Sequence, residues 1–168
     1  RITSAAHPPP DFLLWGFLSH RASIGEIRMS SFELHGRCLC NRVAYVITGH
    51  LGLFQYCHCS RCRKFTGSAF SAHLLVSPAD FRWVRGEAFV GRYEIEEAKH
   101  FATSFCTQCG SSLPWLAKTG QVVMVPAGSL EEDPGIRPVQ NIFWDSRAGW
   151  YVEPSELPHH AELPPKRR

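Results

Sequence analysis

The sequence predicts a mainly β domain built from short antiparallel strands, on three observations. Short runs rich in Val, Ile, Phe, Tyr and Trp recur from Phe32 onward; Gly, Pro, Asp or Asn interrupts them at close intervals; and stretches with helical periodicity are few. Predicted strands run over Arg42–Thr48, Leu53–Tyr56, Ser68–Val76, Phe81–Val84, Phe89–Glu94, His100–Phe105, Leu113–Ala117 and Gln121–Val125. In the first of these Val43, Tyr45 and Ile47 alternate with Ala44 and Val46, so both faces are apolar and a central strand is expected. Helix is expected only as a turn or two after Cys59 and over Ser77–Asp80, where Ser before Pro suits an N-cap followed by the first helical position.

A chain of 168 residues with 44% hydrophobic content has the size of one compact domain. Residues 1–30 read as an N-terminal extension with a triple proline and no sustained period, 31–164 as the domain, and 165–168 as a basic tail. Met29 reads as a natural start, and the alternative is an arm whose Phe12, Leu13, Leu14, Trp15 and Phe17 dock on the domain or on a neighbouring subunit. The run Phe12–Leu18 lacks a basic flank and a small-residue cleavage site, so a signal peptide is not expected. No run of eighteen apolar residues predicts a membrane helix. The formal charge of +3 is too small to suggest a nucleic-acid partner.

All seven cysteines fall in three groups: Cys38 and Cys40; Cys57, Cys59 and Cys62; Cys106 and Cys109. An odd count in close pairs fits a secreted disulfide framework poorly and points to reduced, metal-binding thiols in the cytoplasm. Four thiolates make a closed tetrahedral zinc site. The outer pairs supply four, with Gly110 permitting the turn after Cys109. The middle group supplies three, which leaves one position on a tetrahedral ion for water or substrate and marks it as the catalytic candidate. His58 stands between two ligands, and adjacent side chains rarely converge on one ion, so it is placed outside the ligand set.

Cys59-Ser60-Arg61-Cys62 also matches the redox spacing C-x-x-C, but thioredoxin-like chemistry needs a βαβ unit and none is predicted. Arg61, Arg63 and Lys64 would lower the pKa of nearby thiols and attract an anionic ligand. Trp83, Trp115, Trp144 and Trp150 read as packing residues.

The order Gly36-x-Cys38-x-Cys40, Cys57-His58-Cys59-x-x-Cys62-Arg63-Lys64-x-x-Gly67 and Phe105-Cys106-x-x-Cys109-Gly110-Ser111-x-Leu113 resembles the glutathione-dependent formaldehyde-activating enzyme family, also called Gfa or centromere-protein-V-like. The segment Ile142-Phe143-x-Asp145-Ser146-x-Ala148-x-Trp150 followed by Leu157-Pro158 resembles its closing segment. The resemblance implies an Mss4-like β-rich zinc-binding fold, a structural zinc on Cys38, Cys40, Cys106 and Cys109, and a catalytic zinc on Cys57, Cys59 and Cys62. It further implies a carbon–sulfur lyase or synthase that joins glutathione and formaldehyde into S-hydroxymethylglutathione. In the mechanism expected for that reaction, Arg63, Lys64 or a water protonates the alkoxide. Two positions depart from the family pattern: Asn41 replaces a common glycine, and Gln140-Asn141 stands where a histidine often precedes Ile142. Asn tolerates left-handed backbone, so Asn41 is expected to preserve the turn. The alternatives to an enzyme are a non-catalytic zinc module that binds a protein partner and a zinc store.

Overall fold

The computed structural model describes residues 32–165; the expectations for the N-terminal arm and for the last three basic residues lie outside it. Its strands and helix are β1 (Glu33–Arg37), β2 (Ala44–Thr48), β3 (Leu51–Cys57), α1 (Ser60–Thr66), β4 (Ser71–Val76), β5 (Phe81–Arg85), β6 (Val90–Glu94), β7 (Ala102–Cys106), β8 (Ser112–Leu113), β9 (Trp115–Leu116), β10 (Val123–Pro126) and β11 (Asn141–Ile142). They form three sheets, in the orders β1-β2-β5, β11-β3-β4-β10-β9 and β6-β7-β8. Every pairing is antiparallel except that of β11 with β3. The chain is mainly β, as its pattern predicts.

The apolar strand β2 is central in its sheet, and Tyr45, Val46 and Ile47 are fully buried. Leu34, Tyr45 and Ile47 from β1 and β2 meet Phe54, Leu74, Val76, Val123 and Val125 from β3, β4 and β10 to make the main core. A second apolar cluster holds Cys38, Val43, Cys106 and Leu113, so two of the paired cysteines sit in packed surroundings. At Ser77–Asp80 the expected cap forms: Ala79 N–H donates to Ser77 Oγ at 3.3 Å, and Pro78 opens a 3-10 turn.

Four departures from the predicted elements have local causes. The strand β1 was not predicted because Glu33, His35 and Arg37 face outward and Gly36 supplies no side chain, which leaves Leu34 as its one large apolar residue. The predicted strand over Leu113–Ala117 divides at Pro114, which has no N–H for a ladder; β8 then pairs with β7, whereas β9 pairs with β10 in another sheet. The strand predicted from Ser68 begins at Ser71, because Gly67 takes φ 63° and ends α1 with its N–H on Arg63 O. Two-residue β11 carries no periodic signal and exists through its parallel pairing, which sets Ile142 beside Cys57.

Gly36 faces Tyr45 across the β1–β2 ladder, and a Cβ there would lie 2.1 Å from the Tyr45 ring. The ring cannot swing away freely, since its hydroxyl shares a 2.7 Å hydrogen bond with Ser129 Oγ and it packs on Phe81 and Trp83. Gly36→Ala is therefore expected to cost about 1–3 kcal/mol through overpacking. Urea denaturation should show a lower midpoint with an unchanged slope.

Candidate metal centre and its cavity

The four outer cysteines come from two turns far apart in sequence. After β1, Cys38 N–H donates to Val43 O at 3.0 Å and Asn41 N–H to Cys38 O at 2.9 Å, which folds the chain back with Cys38 buried and Cys40 exposed. Asn41 has φ 59°, the left-handed geometry expected of it, and Arg85 binds its backbone oxygen at 2.9 Å. After β7, Gly110 has φ 74° and donates its N–H to Cys106 O at 2.8 Å, which bends Cys109 back beside Cys106. Ser111 joins the two turns: its Oγ lies 3.3 Å from Cys109 Sγ and accepts from Leu39 N–H at 3.0 Å.

The four sulfurs lie within 4.8 Å of one another, with Cys38–Cys40 at 3.5 Å and Cys40–Cys106 at 3.8 Å. Tetrahedral Zn–S bonds of about 2.3 Å put sulfurs about 3.8 Å apart, so the donor set and its spacing fit a zinc ion. All seven cysteines are unbridged. The Ser111 hydroxyl and backbone N–H beside Cys109 hold its thiol down to about 5, which favours the ligating thiolate.

The middle group is built at the β3–α1 junction. Cys57 ends β3, Cys59 is the N-cap of α1 and accepts from Cys62 N–H at 3.4 Å, and Cys62 lies in the first turn. Their three sulfurs also lie within 4.8 Å of one another. Hydrogen bonds from the thiols of Cys57 and Cys62, with the helix N–H groups, hold Cys59 down to about 2; the same contacts push Cys57 and Cys62 up. A cation seated among the three sulfurs would replace those shared protons, so this set fits zinc by chemistry and spacing as well. The helix α1 connects antiparallel strands, and no βαβ unit surrounds the C-x-x-C.

His58 lies outside this cluster. It is fully buried in an aromatic box of Phe70, Trp144 and Tyr151, and its Nε2 is 2.9 Å from Asn141 Oδ1. The position where the family often carries histidine is thus used here to hold His58. Of the remaining tryptophans, Trp83 packs against the core clusters, while Trp150 is exposed rather than packed.

Cys57, Cys59 and Cys62 open onto a cavity of about 620 Å³. Arg61, Lys99 and His100 contribute cationic or polar groups to its wall; Phe101, Trp115, Val122, Met124, Ile142 and Phe143 make an apolar side; among the described residues no carboxylate lines it. Among the described residues Arg61 and Lys99 form no ion pair. Arg63 and Lys64 do not line the cavity: Arg63 is half-buried on α1 and Lys64 is exposed.

Sequence reasoning missed Lys99, His100 and His73. The connection that carries Lys99 and His100 is pinned by Lys118, whose Nζ donates to Ile95 O at 2.9 Å and whose N–H donates to His100 O at 3.4 Å. His73 arrives through the β3–β4 register, which pairs Gln55 with His73 and Cys57 with Ser71. Burial pushes its pKa down to about 4, and its Nε2 is 2.7 Å from Ser71 Oγ, so it lines the cavity as a neutral ring at neutral pH. The alternation of Ser71 and His73 on one face was the available signal, but only the register shows which face.

The sequence model of the glutathione-dependent formaldehyde-activating enzyme family matches residues 33–146, from β1 through the last cavity residue, Ser146. The chain belongs to that family. No curated protein matches it. Among solved structures, a Rhodobacter sphaeroides protein is similar at 22% identity, over 64% of this chain and 98% of its own, with a TM-score of 0.48. Both sulfur clusters of this formaldehyde-activating family member are compatible with zinc, and among the described residues no helix is long and apolar enough to cross a membrane.

The left-handed turn at Asn41 governs whether Cys38 and Cys40 converge. Asn41→Gly should leave Tm nearly unchanged, whereas Asn41→Val forces a β-branched residue into that geometry and should cost about 1–2 kcal/mol. A Tm comparison, with thiol accessibility to a disulfide reagent measured alongside, checks both outcomes.

Proposed function

We propose that this protein is a zinc-dependent carbon–sulfur lyase or synthase that joins glutathione and formaldehyde into S-hydroxymethylglutathione. The observation that carries the proposal is a cluster of three sulfurs opening onto a cavity lined by Arg61 and Lys99 and, among the described residues, by no carboxylate. In this reading Cys38, Cys40, Cys106 and Cys109 hold one zinc as a structural clamp, and Cys57, Cys59 and Cys62 hold a second. Zinc in the three-sulfur site would stabilise a substrate thiolate at neutral pH while leaving it nucleophilic, because three thiolate ligands make the ion a weak Lewis acid.

The chain's own groups do the rest. Arg61 and Lys99 draw in the carboxylates of glutathione and orient its sulfur toward the cluster; the contact role expected of Arg63 and Lys64 passes to them, and the latter two act only through their field. The apolar wall excludes water from the reacting carbon. As the sulfur–carbon bond forms, the carbonyl π pair moves to oxygen. The oxygen takes up one proton, from water or Lys99 Nζ, balancing the one the thiol has lost. His73, held neutral by burial, adds no charge of its own.

Cys59→Ser should remove one zinc of two and lower the acceleration of adduct formation by at least about 100-fold. The other zinc and the fold should remain, as checked by metal analysis and circular dichroism on the same sample. Undiminished turnover in this variant would remove the proposed site and leave a zinc store or an interaction module as the better account.

A further inference from the structure

The apolar side of the cavity exceeds what formaldehyde and glutathione ask of it. Formaldehyde has a single carbon, and glutathione carries two carboxylates, an ammonium and two amides, so neither has a hydrocarbon surface to match a wall of Phe101, Trp115, Val122, Met124, Ile142 and Phe143. Phe143 adds an independent observation. It has φ 55° and ψ 41°, a left-handed conformation that bulky residues rarely adopt, and yet it is 62% exposed, so burial of its ring does not compensate the strain.

The surroundings over-determine that conformation. Pairing of β11 with β3 fixes Ile142 beside Cys57, and the next turn is anchored by Trp144, whose ring packs on His58 at 4.9 Å and Tyr151 at 5.8 Å. Ser146 N–H donates to Phe143 O at 3.0 Å, and Arg147 stacks on Trp144 at 4.8 Å. Between these fixed points Phe143 is held in the cavity wall, next to the residue that adjoins the sulfur cluster. Strain kept at a ligand cavity by such a frame indicates a contact made with the ligand.

Building on the thiol–aldehyde addition proposed above, we infer that the cavity also takes, in preference to formaldehyde, an aldehyde with an apolar substituent, an alkyl chain of several carbons or an aromatic ring. The substituent packs between Phe143 and the side chains of Trp115 and Met124, while Arg61 and Lys99 hold the carboxylates of the thiol. The chemistry balances as for formaldehyde: one carbon–sulfur bond forms, the carbonyl π pair becomes an oxygen lone pair, one proton leaves sulfur and one reaches oxygen. No oxidant or reductant takes part.

The test compares formaldehyde with hexanal at fixed glutathione, using the zinc-loaded full chain. Exchange NMR reads the acceleration of adduct formation over the spontaneous rate for each aldehyde. The acceleration should be at least about tenfold larger for hexanal, the discrimination a few buried methylenes supply. Phe143→Gly and Met124→Lys should each shrink the ratio of the two accelerations at least about fivefold, and Phe143→Gly should not lower Tm, since glycine adopts the left-handed backbone without strain. Acceleration of formaldehyde alone, or a ratio that neither variant changes, overturns the inference and leaves the formaldehyde activity standing. Acceleration of neither aldehyde by protein that retains its zinc overturns both. A lowered Tm for Phe143→Gly would make the ring structural and remove it from the substrate contact.

Discussion

Convergence of Cys38 and Cys40 with Cys106 and Cys109 is the constraint on which the rest of the molecule depends. It joins the turn after β1 to the turn after β7, and so ties the sheet β1-β2-β5 to the sheet β6-β7-β8. Joining points more than sixty residues apart carries a loop-closure entropy that two-residue strands such as β8 and β9 offset poorly by themselves. Hydrogen bonds aim the sulfurs from both sides, the Val43 N–H on Cys38 and the Ser111 hydroxyl on Cys109. A zinc ion held there, as proposed, would convert this preformed cage into folding free energy.

The other three sulfurs stand where an inner strand of the five-stranded sheet, β3, runs out into α1. The antiparallel β3–β4 pair, linked by α1, leaves Cys57 at a strand end and Cys59 and Cys62 on the first turn of the helix. Among the described residues no fourth His, Cys or carboxylate joins the three sulfurs. His58 alternates to the opposite side of the strand from Cys57 and Cys59 and is used up by Asn141 and three aromatic rings. The side facing away from His58 is the cavity.

What the sequence made legible was whatever is encoded locally. The cysteine spacing separated a four-sulfur from a three-sulfur group, alternation located most strands, and Ser77-Pro78 marked its turn. What it hid depends on partners distant in the chain. Lys99 and His100 reach the cavity because Lys118 pins their connection, and His73 because of a register no local pattern reports. Arg63 and Lys64 stood close to the cysteines in sequence, but of the three cations on α1 only Arg61 lines the cavity. Pro114 was visible as a break, but not as the point where one strand becomes two members of different sheets.

Charge explains why the cavity has the composition it does. In the proposed metal-bound state three thiolates and a divalent cation leave the site with a net charge of about −1, which repels an anionic thiol. Any carboxylate in the wall would add to that repulsion, and among the described residues none lines it; Arg61 and Lys99 form no ion pair among those residues and offset the repulsion. A charged His73 would contribute to the same end, but burial keeps it neutral. In the proposed reaction the attraction thus falls to Arg61 and Lys99, while Trp115, Met124 and Phe143 give the cavity an apolar side against which the carbonyl half would be held.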